Sequence, residues 1–166
     1  MCKKLINRSV AIAILVLFSA SMASAANKVG PAPDFELPTD SGKVHLSQLK
    51  DKVVYVDFWA SWCVPCRKSF PWMNEMKKRY GDQGLEIVAI NLDQDHELAK
   101  RFLKKIPASF TVAYDPDGAI AEKYKVVGMP SSYIINREGL VVKSHLGFRE
   151  KDTPDLEELL RMTLEY

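Results

Sequence analysis

One stretch, Val53 to Cys66, constrains the fold of this chain more than any other and reads VVYVDFWASWCVPC. Its first part, Val53 to Ala60, is nearly continuous in apolar residues, a pattern typical of a strand buried on both faces. Cys63 and Cys66 follow directly, and from Cys63 onward the apolar positions recur at helical intervals. A buried strand that leads into a Cys-x-x-Cys pair predicts a redox motif or half of a metal site.

The remaining segments alternate between strand-like and helix-like patterns. Strands are predicted over residues 35–38, 43–46, 53–60, 85–92, 110–114, 132–135 and 140–146, and helices over 63–80, 95–106, 119–124 and 153–163. Residues 27–33 are predicted to be irregular, and Asp95 and Thr153 are the expected N-caps of their helices. This order predicts an α/β fold with a central mixed β-sheet flanked by helices. Cys63 would lie at the carboxyl end of a central strand, where open α/β sheets place their sites.

Residues 1–25 have the organisation of a secretory signal peptide. A basic segment, Met1 to Ser9, precedes the apolar run Val10 to Phe18, and small residues follow as far as Ala23-Ser24-Ala25. The alternative is an uncleaved membrane anchor, but the apolar run is shorter than the roughly 20 residues that a spanning helix needs. We therefore expect cleavage, one mature domain over residues 26–166, and export to the bacterial periplasm or extracytoplasmic face.

Cys63 and Cys66 are the two cysteines that remain after cleavage, because Cys2 leaves with the peptide. A purely structural disulfide between them would close a tiny loop, which yields little stabilisation. A zinc site needs four ligands, and the chain has no second Cys-x-x-Cys and no paired histidine motif. Redox chemistry is therefore favoured. Cys63, at a helix start that stabilises a thiolate, is the predicted nucleophile, and Cys66 is the predicted resolving cysteine.

The segment Asp57 to Cys66 resembles the active-site segment of the thioredoxin superfamily. Pro71 matches the helix-kink proline of that superfamily, and Gly128-Met129-Pro130-Ser131 resembles its cis-proline loop. The N-terminal motifs Ala32-Pro33-Asp34-Phe35, Gly42-Lys43 and Leu46-Ser47, with an extra helix near residues 95–105, resemble the extracytoplasmic TlpA/ResA-like branch and its AhpC/TSA-redoxin relatives. The resemblance covers residues 29–166. It implies a thioredoxin-like fold with an N-terminal β-hairpin extension and an inserted helix, and thiol–disulfide exchange as the activity.

The resemblance also implies roles for single residues. Asp57, an acid inside a buried strand, is the expected proton acceptor for Cys66, although a carboxylate hydrogen-bonded to its neighbours is the simpler reading. Pro130 is expected to be cis and to leave the backbone of Met129 free to pair with a substrate peptide. Trp62 is expected to be a partly exposed platform for substrate rather than a core aromatic.

One position departs from the branch. Many TlpA/ResA-like proteins carry a glutamate three residues after the second cysteine, and this chain has Ser69 there. We expect Asp57 to take over whatever proton transfer that acid supports.

These features together predict an exported thiol–disulfide oxidoreductase that acts, as a reductase, on protein thiols and disulfides, for example in cytochrome c maturation. A membrane electron donor of the thiol-transfer type is the expected partner, and the protein is expected to be a monomer without cofactor or bound metal. Nucleic acid is not expected to bind, because basic and acidic residues nearly balance after residue 25 and form no block of like charge. The direction of exchange cannot be read from the motif, so a general oxidant stays open.

Two alternative functions involve the same cysteines. A copper-binding metallochaperone would hold Cu(I) through Cys63, Cys66 and His145, and its cysteines would usually be spaced differently. A thiol peroxidase would need a Thr-x-x-Cys environment, whereas Ser61-Trp62 precedes Cys63 here.

Overall fold

The structure is a computed structural model that describes residues 30–166. The predicted signal peptide therefore lies outside the described residues. No helix within 30–166 is long and apolar enough to cross a membrane.

Between residues 30 and 166, the fold comprises eight strands and four α-helices. In chain order they are β1 (Gly30–Pro31), β2 (Glu36–Thr39), β3 (Gly42–His45), β4 (Val53–Trp59), α1 (Cys66–Tyr80), β5 (Leu85–Asn91), α2 (His96–Lys105), β6 (Thr111–Tyr114), α3 (Ala119–Lys123), β7 (Ser131–Ile135), β8 (Leu140–Leu146) and α4 (Thr153–Glu165). The strands form one mixed sheet in the order β1-β8-β7-β4-β5-β6-β2-β3. The predicted α/β architecture is confirmed, with β2 and β3 as the N-terminal hairpin and α2 as the helix inserted between β5 and β6.

The central strand β4 is buried at every position, as its continuous apolar pattern predicts. It runs parallel to β5 and antiparallel to β7. Its side chains alternate between two hydrophobic clusters, one on each face of the sheet. Val53, Tyr55 and Trp59 join the cluster that also contains residues of α1, α2 and α4, whereas Val54, Val56 and Phe58 join the cluster that contains Ile120 and Ala121 of α3.

Aromatic packing fixes α1 against this sheet. The ring centroid of Phe70 lies 4.8 Å from that of Trp59 and 4.9 Å from that of Phe102 in α2. Helix α1 continues through Pro71 without a break. Because β4 and α1 are both held by buried contacts, the loop between them has two rigid ends.

The structure differs from the sequence-based predictions at several helix and strand ends. Residues 30–31 are not irregular but pair with β8 as a short edge strand. A strand of two residues leaves no apolar pattern that would predict it from the sequence. Asp95 caps α2 by accepting a hydrogen bond from the Glu97 N–H, as predicted. Thr153 does not cap α4; its hydroxyl donates to the carbonyl of Glu150 instead.

Candidate active site

The cysteine pair lies at the junction between β4 and α1. Cys63 belongs to the loop, and α1 begins at Cys66, three residues later than the helical pattern predicts. The two residues form a disulfide with their Cα atoms 5.3 Å apart. The backbone N–H of Cys66 donates to Sγ of Cys63 at 3.3 Å. The sulfur of Cys63 thus accepts from the first N–H of α1, which is the arrangement that favours a thiolate.

The two cysteines differ in access. Cys63 retains 4% of its surface, whereas Cys66 is completely buried. Trp62 and Val64, on either side of Cys63 in the chain, are each 67% exposed. A partner can therefore approach the sulfur of Cys63 across an apolar surface, and the sulfur of Cys66 is reachable only from within the protein.

Asp93 anchors the loop that carries Cys63, which the sequence did not reveal. Its buried carboxylate accepts hydrogen bonds from the N–H of Ser61 at 2.8 Å and the hydroxyl of Ser61 at 2.9 Å. A third comes from the side-chain amide of Asn91 at 2.8 Å. The available signal was an acid two residues after β5, at the same sheet edge as the end of β4.

The cis-proline loop is the second wall of the site. The peptide bond between Met129 and Pro130 is cis. The carbonyl of Pro130 accepts from the N–H of Gly147 at 2.7 Å, and the hydroxyl of Ser131 donates to the carbonyl of Gly128 at 2.7 Å. Half-buried Met129 packs against the cluster that contains both cysteines. These bonds fix the loop to the start of β7 and the end of β8.

Asp57 is buried, and one of its two carboxyl oxygens has no hydrogen-bond partner. It lies near the end of β4, retains 1% of its surface, and its Oδ2 atom accepts no hydrogen bond. Burial raises the pKa of this carboxyl well above the ordinary value of 3.8. Alternation along β4 places it on the same face as Tyr55 and Trp59, the face that packs against α1. The simpler reading, a carboxylate satisfied by its neighbours, gains no support from the Oδ2 atom.

Ser69, at the position where relatives carry an acid, has a local role. It is buried, and its hydroxyl donates to the carbonyl of Cys66 at 3.1 Å. The Ser69 hydroxyl thus bonds within the first turn of α1. Of the two candidate acids for proton transfer, the glutamate of the relatives and Asp57, this chain has only Asp57.

His145 does not form a metal site with the cysteines. Within residues 30–166, no group of three histidine, cysteine or acidic side chains could hold a metal ion. His145 instead lies opposite Ser132 in the sheet, with its Nε2 atom 3.8 Å from Oδ2 of Asp152. The geometry therefore gives no support to the copper-binding alternative.

Comparisons with known proteins agree with this geometry. The family model described as Redoxin matches residues 27–160. Thiol-disulfide oxidoreductase ResA of Bacillus thuringiensis is 37% identical over 131 residues, which cover 78% of this chain and 75% of the relative. The protein of the same name from Bacillus subtilis is 41% identical over 113 residues, or 68% and 63% of the two chains.

A solved structure extends the similarity to the fold. A Chlorobium tepidum protein assigned as thiol:disulfide interchange protein DsbE superposes with a TM-score of 0.82 and is 48% identical. The match covers 84% of this chain and 99% of the other.

Proposed function

The chain belongs to the Redoxin family, as a thioredoxin-like member similar to ResA and DsbE, and from this premise we propose that it is an exported reductase of protein disulfides. Thiol–disulfide exchange is the chemistry of the relatives to which it is similar. The observation that carries the proposal is the unequal burial of the cysteine pair, with Cys63 facing the first N–H of α1 and Cys66 fully enclosed.

The proposed reaction starts from the reduced protein. The thiolate of Cys63 attacks a substrate disulfide, a mixed disulfide forms, and one substrate sulfur leaves as a thiolate. Cys66 then loses its proton and attacks the sulfur of Cys63, which releases the second substrate thiolate. Two electrons pass to the substrate, whose thiolates take up protons, and the protein is left with the Cys63–Cys66 disulfide.

Asp57 is the proposed acceptor of the Cys66 proton. A carboxyl whose pKa is raised by burial is a better base towards a thiol than an ordinary aspartate, because its proton affinity lies closer to that of the thiol. The same group returns the proton when the disulfide is reduced again.

The surface around Cys63 is proposed to bind substrate protein. Trp62 supplies an exposed aromatic platform, and Met129, beside the cis Pro130, supplies backbone for strand-like pairing. Val127 and Leu146, 86% and 60% exposed, extend the apolar surface beside the same loop. An apolar surface of this kind suits an unfolded or extended polypeptide.

The physiological role is proposed from the resemblance to the TlpA/ResA-like branch. The substrates would be particular exported proteins, such as apocytochromes c before haem attachment, and a membrane protein of the thiol-transfer type would return electrons to the disulfide. The protein would act as a monomer. Substrate and electron donor would bind one after the other to the same surface around Cys63.

Trapping tests the roles of the two cysteines. Cys66→Ser is expected to accumulate a mixed disulfide between Cys63 and the natural partner, because the resolving thiol is absent. Cys63→Ser is the matched control and should trap nothing, since the buried sulfur of Cys66 cannot be reached. Non-reducing gels followed by mass spectrometry measure this result and name the partner. Trapping through Cys66 instead would reverse the proposed roles.

Export is tested on the N-terminus. Expression of the full chain in a Gram-negative host is expected to yield a periplasmic protein whose first residue is at or near Ala26, because the small residues at 23–25 suit cleavage. N-terminal sequencing of the exported form measures this. An intact Met1 on the exported protein would instead support a retained membrane anchor.

A further inference from the structure

A row of polar side chains crosses three neighbouring strands beneath the site. Asp57 of β4 is the direct antiparallel partner of Ser132 of β7, and Ser132 is the direct partner of His145 of β8. Directly opposed residues point to the same face of a sheet, with Cβ atoms about 5 Å apart. The three side chains therefore form one continuous row on the face that packs against α1 and α4.

Both ends of this row carry a buried polar atom without a partner. These atoms are Oδ2 of Asp57 and Nε2 of His145. Ser132 between them is 4% exposed. An unpaired buried polar atom costs free energy, and a well-packed strand would normally place apolar residues at such positions. Packing alone therefore does not explain why three polar groups occupy adjacent positions here.

The row reaches the protein surface at His145. The imidazole is 18% exposed, and Nε2 lies 3.8 Å from Oδ2 of Asp152, which is 19% exposed. Asp152 accepts a hydrogen bond from Nε of Arg149 at 2.7 Å, and Arg149 is largely in solvent. Asp57 is thus enclosed at one end of the row, whereas at the other end the partly exposed imidazole of His145 lies beside the partly exposed carboxylate of Asp152.

We propose that Ser132 and His145 form the route by which protons pass between Asp57 and solvent. The inference rests on the proposed function, in which Asp57 takes the proton of Cys66. A hydroxyl can donate and accept at once, and a neutral imidazole has one nitrogen that donates and one that accepts, so both side chains can pass a proton along such a row. Both act through Asp57 and are positioning residues.

The proton balance is simple. During oxidation the Cys66 thiol gives its proton to Asp57, its sulfur bonds to Cys63, and the substrate thiolate leaves with the electron pair. The proton on Asp57 then passes by way of Ser132 to His145 and out beside Asp152. Reduction of the disulfide runs the same transfers in reverse.

Other charged or titratable groups face this row. Tyr55 of β4 lies within hydrogen-bonding reach of Ser132, and burial followed by the charge of Asp57 raises its pKa. A tyrosine so strongly shifted stays protonated and does not compete for the proton. Near the outer end, Glu150 pairs with Lys68 of α1 at 3.4 Å, in addition to the pair of Asp152 and Arg149.

The test follows reduction of the purified oxidised protein by dithiothreitol in a stopped-flow instrument, using tryptophan fluorescence over a range of pH. His145→Gln keeps polarity and approximate size but cannot carry a proton, and Ser132→Ala removes only the hydroxyl. Both are expected to slow the reaction about tenfold and to change its pH profile, a smaller effect than the 10²–10⁴-fold typical of groups that contact the reacting atom. His96→Gln is the matched control, since His96 also pairs with an aspartate, Asp40 at 3.4 Å, but belongs to α2.

A double-mutant cycle separates a relay from a structural role. If the groups act on one route, Asp57→Asn/His145→Gln reacts no more slowly than Asp57→Asn alone. Wild-type rates and pH profiles in His145→Gln and Ser132→Ala, or losses that multiply in the double variant, would overturn the proposal. If Asp57→Asn itself reacts like the wild type, the acceptor role of Asp57 fails, and failure of the Cys66→Ser trap rejects the exchange mechanism itself.

Discussion

Asp57→Asn is expected to make the protein more stable at neutral pH while slowing disulfide exchange. Burial raises the pKa of this carboxyl above 3.8, so the folded state holds the proton more tightly than the unfolded chain does. Below about pH 4 both states are protonated and the substitution changes little. As the pH rises towards the raised pKa, the unfolded chain ionises first and the wild type loses stability, which the asparagine variant does not.

The expected gain in unfolding free energy is on the order of 2 kcal/mol at pH 7 to 8, because the asparagine variant avoids the cost of keeping a carboxyl protonated in the folded state at a pH where the unfolded chain is ionised. The expected loss in exchange rate is on the order of 100-fold, because the proton acceptor is gone. Urea unfolding at several pH values and stopped-flow reduction measure the two effects. A variant that is less stable than the wild type at pH 8 would show that the carboxylate is satisfied after all.

Asp93→Ala is expected to have the opposite effect on stability. The Asp93 carboxylate accepts three hydrogen bonds from Ser61 and Asn91, and its removal leaves the buried Asn91 amide and the partly buried Ser61 donors without this partner. At about 1–3 kcal/mol for each unsatisfied group, partly relieved by relaxation, the loss in unfolding free energy should be on the order of 3–5 kcal/mol. Exchange should also slow, because Ser61 no longer fixes the loop that carries Cys63.

Ser61→Ala is the matched control for this second prediction. It removes only the hydroxyl and leaves the Ser61 N–H bonded to Asp93, so it should cost about 1 kcal/mol. Urea unfolding of both variants checks the comparison. Equal losses in the two would mean that the bonds from the Ser61 N–H and from Asn91 to Asp93 contribute nothing measurable to stability.

Asp57 and Asp93 illustrate how far sequence reasoning extends. Both are acids near the carboxyl ends of buried strands. Asp57 can be recognised in the sequence because it interrupts an apolar run that leads into a Cys-x-x-Cys pair. Asp93 follows its strand by two residues and reads as an ordinary loop residue. Its importance depends on the parallel pairing of β4 with β5, which places it next to Ser61.

The starts of α1 and α2 show the same difference between what the sequence indicates and what the fold decides. Helical periodicity begins at Cys63 in the sequence, but α1 begins at Cys66. Val64 and Pro65, just before it, lie in a turn, which periodicity alone does not distinguish from a helix. Asp95 was identified as a cap correctly, since a capping aspartate acts within two residues of itself. A hydrogen bond between residues this close in the chain can therefore be predicted from the sequence.

The α/β fold, the cysteine pair and the order of the segments around it can be read from the amino-acid sequence, because strand and helix periodicities and a short motif are local properties. Tertiary structure decided which cysteine is reachable, which aspartate is satisfied, and which residues stand beside Asp57. Those outcomes depend on strand register: Asp57, Ser132 and His145 lie far apart in the chain and become neighbours only when β4, β7 and β8 pair. A shift of one residue in either pairing would turn a side chain to the opposite face and separate them.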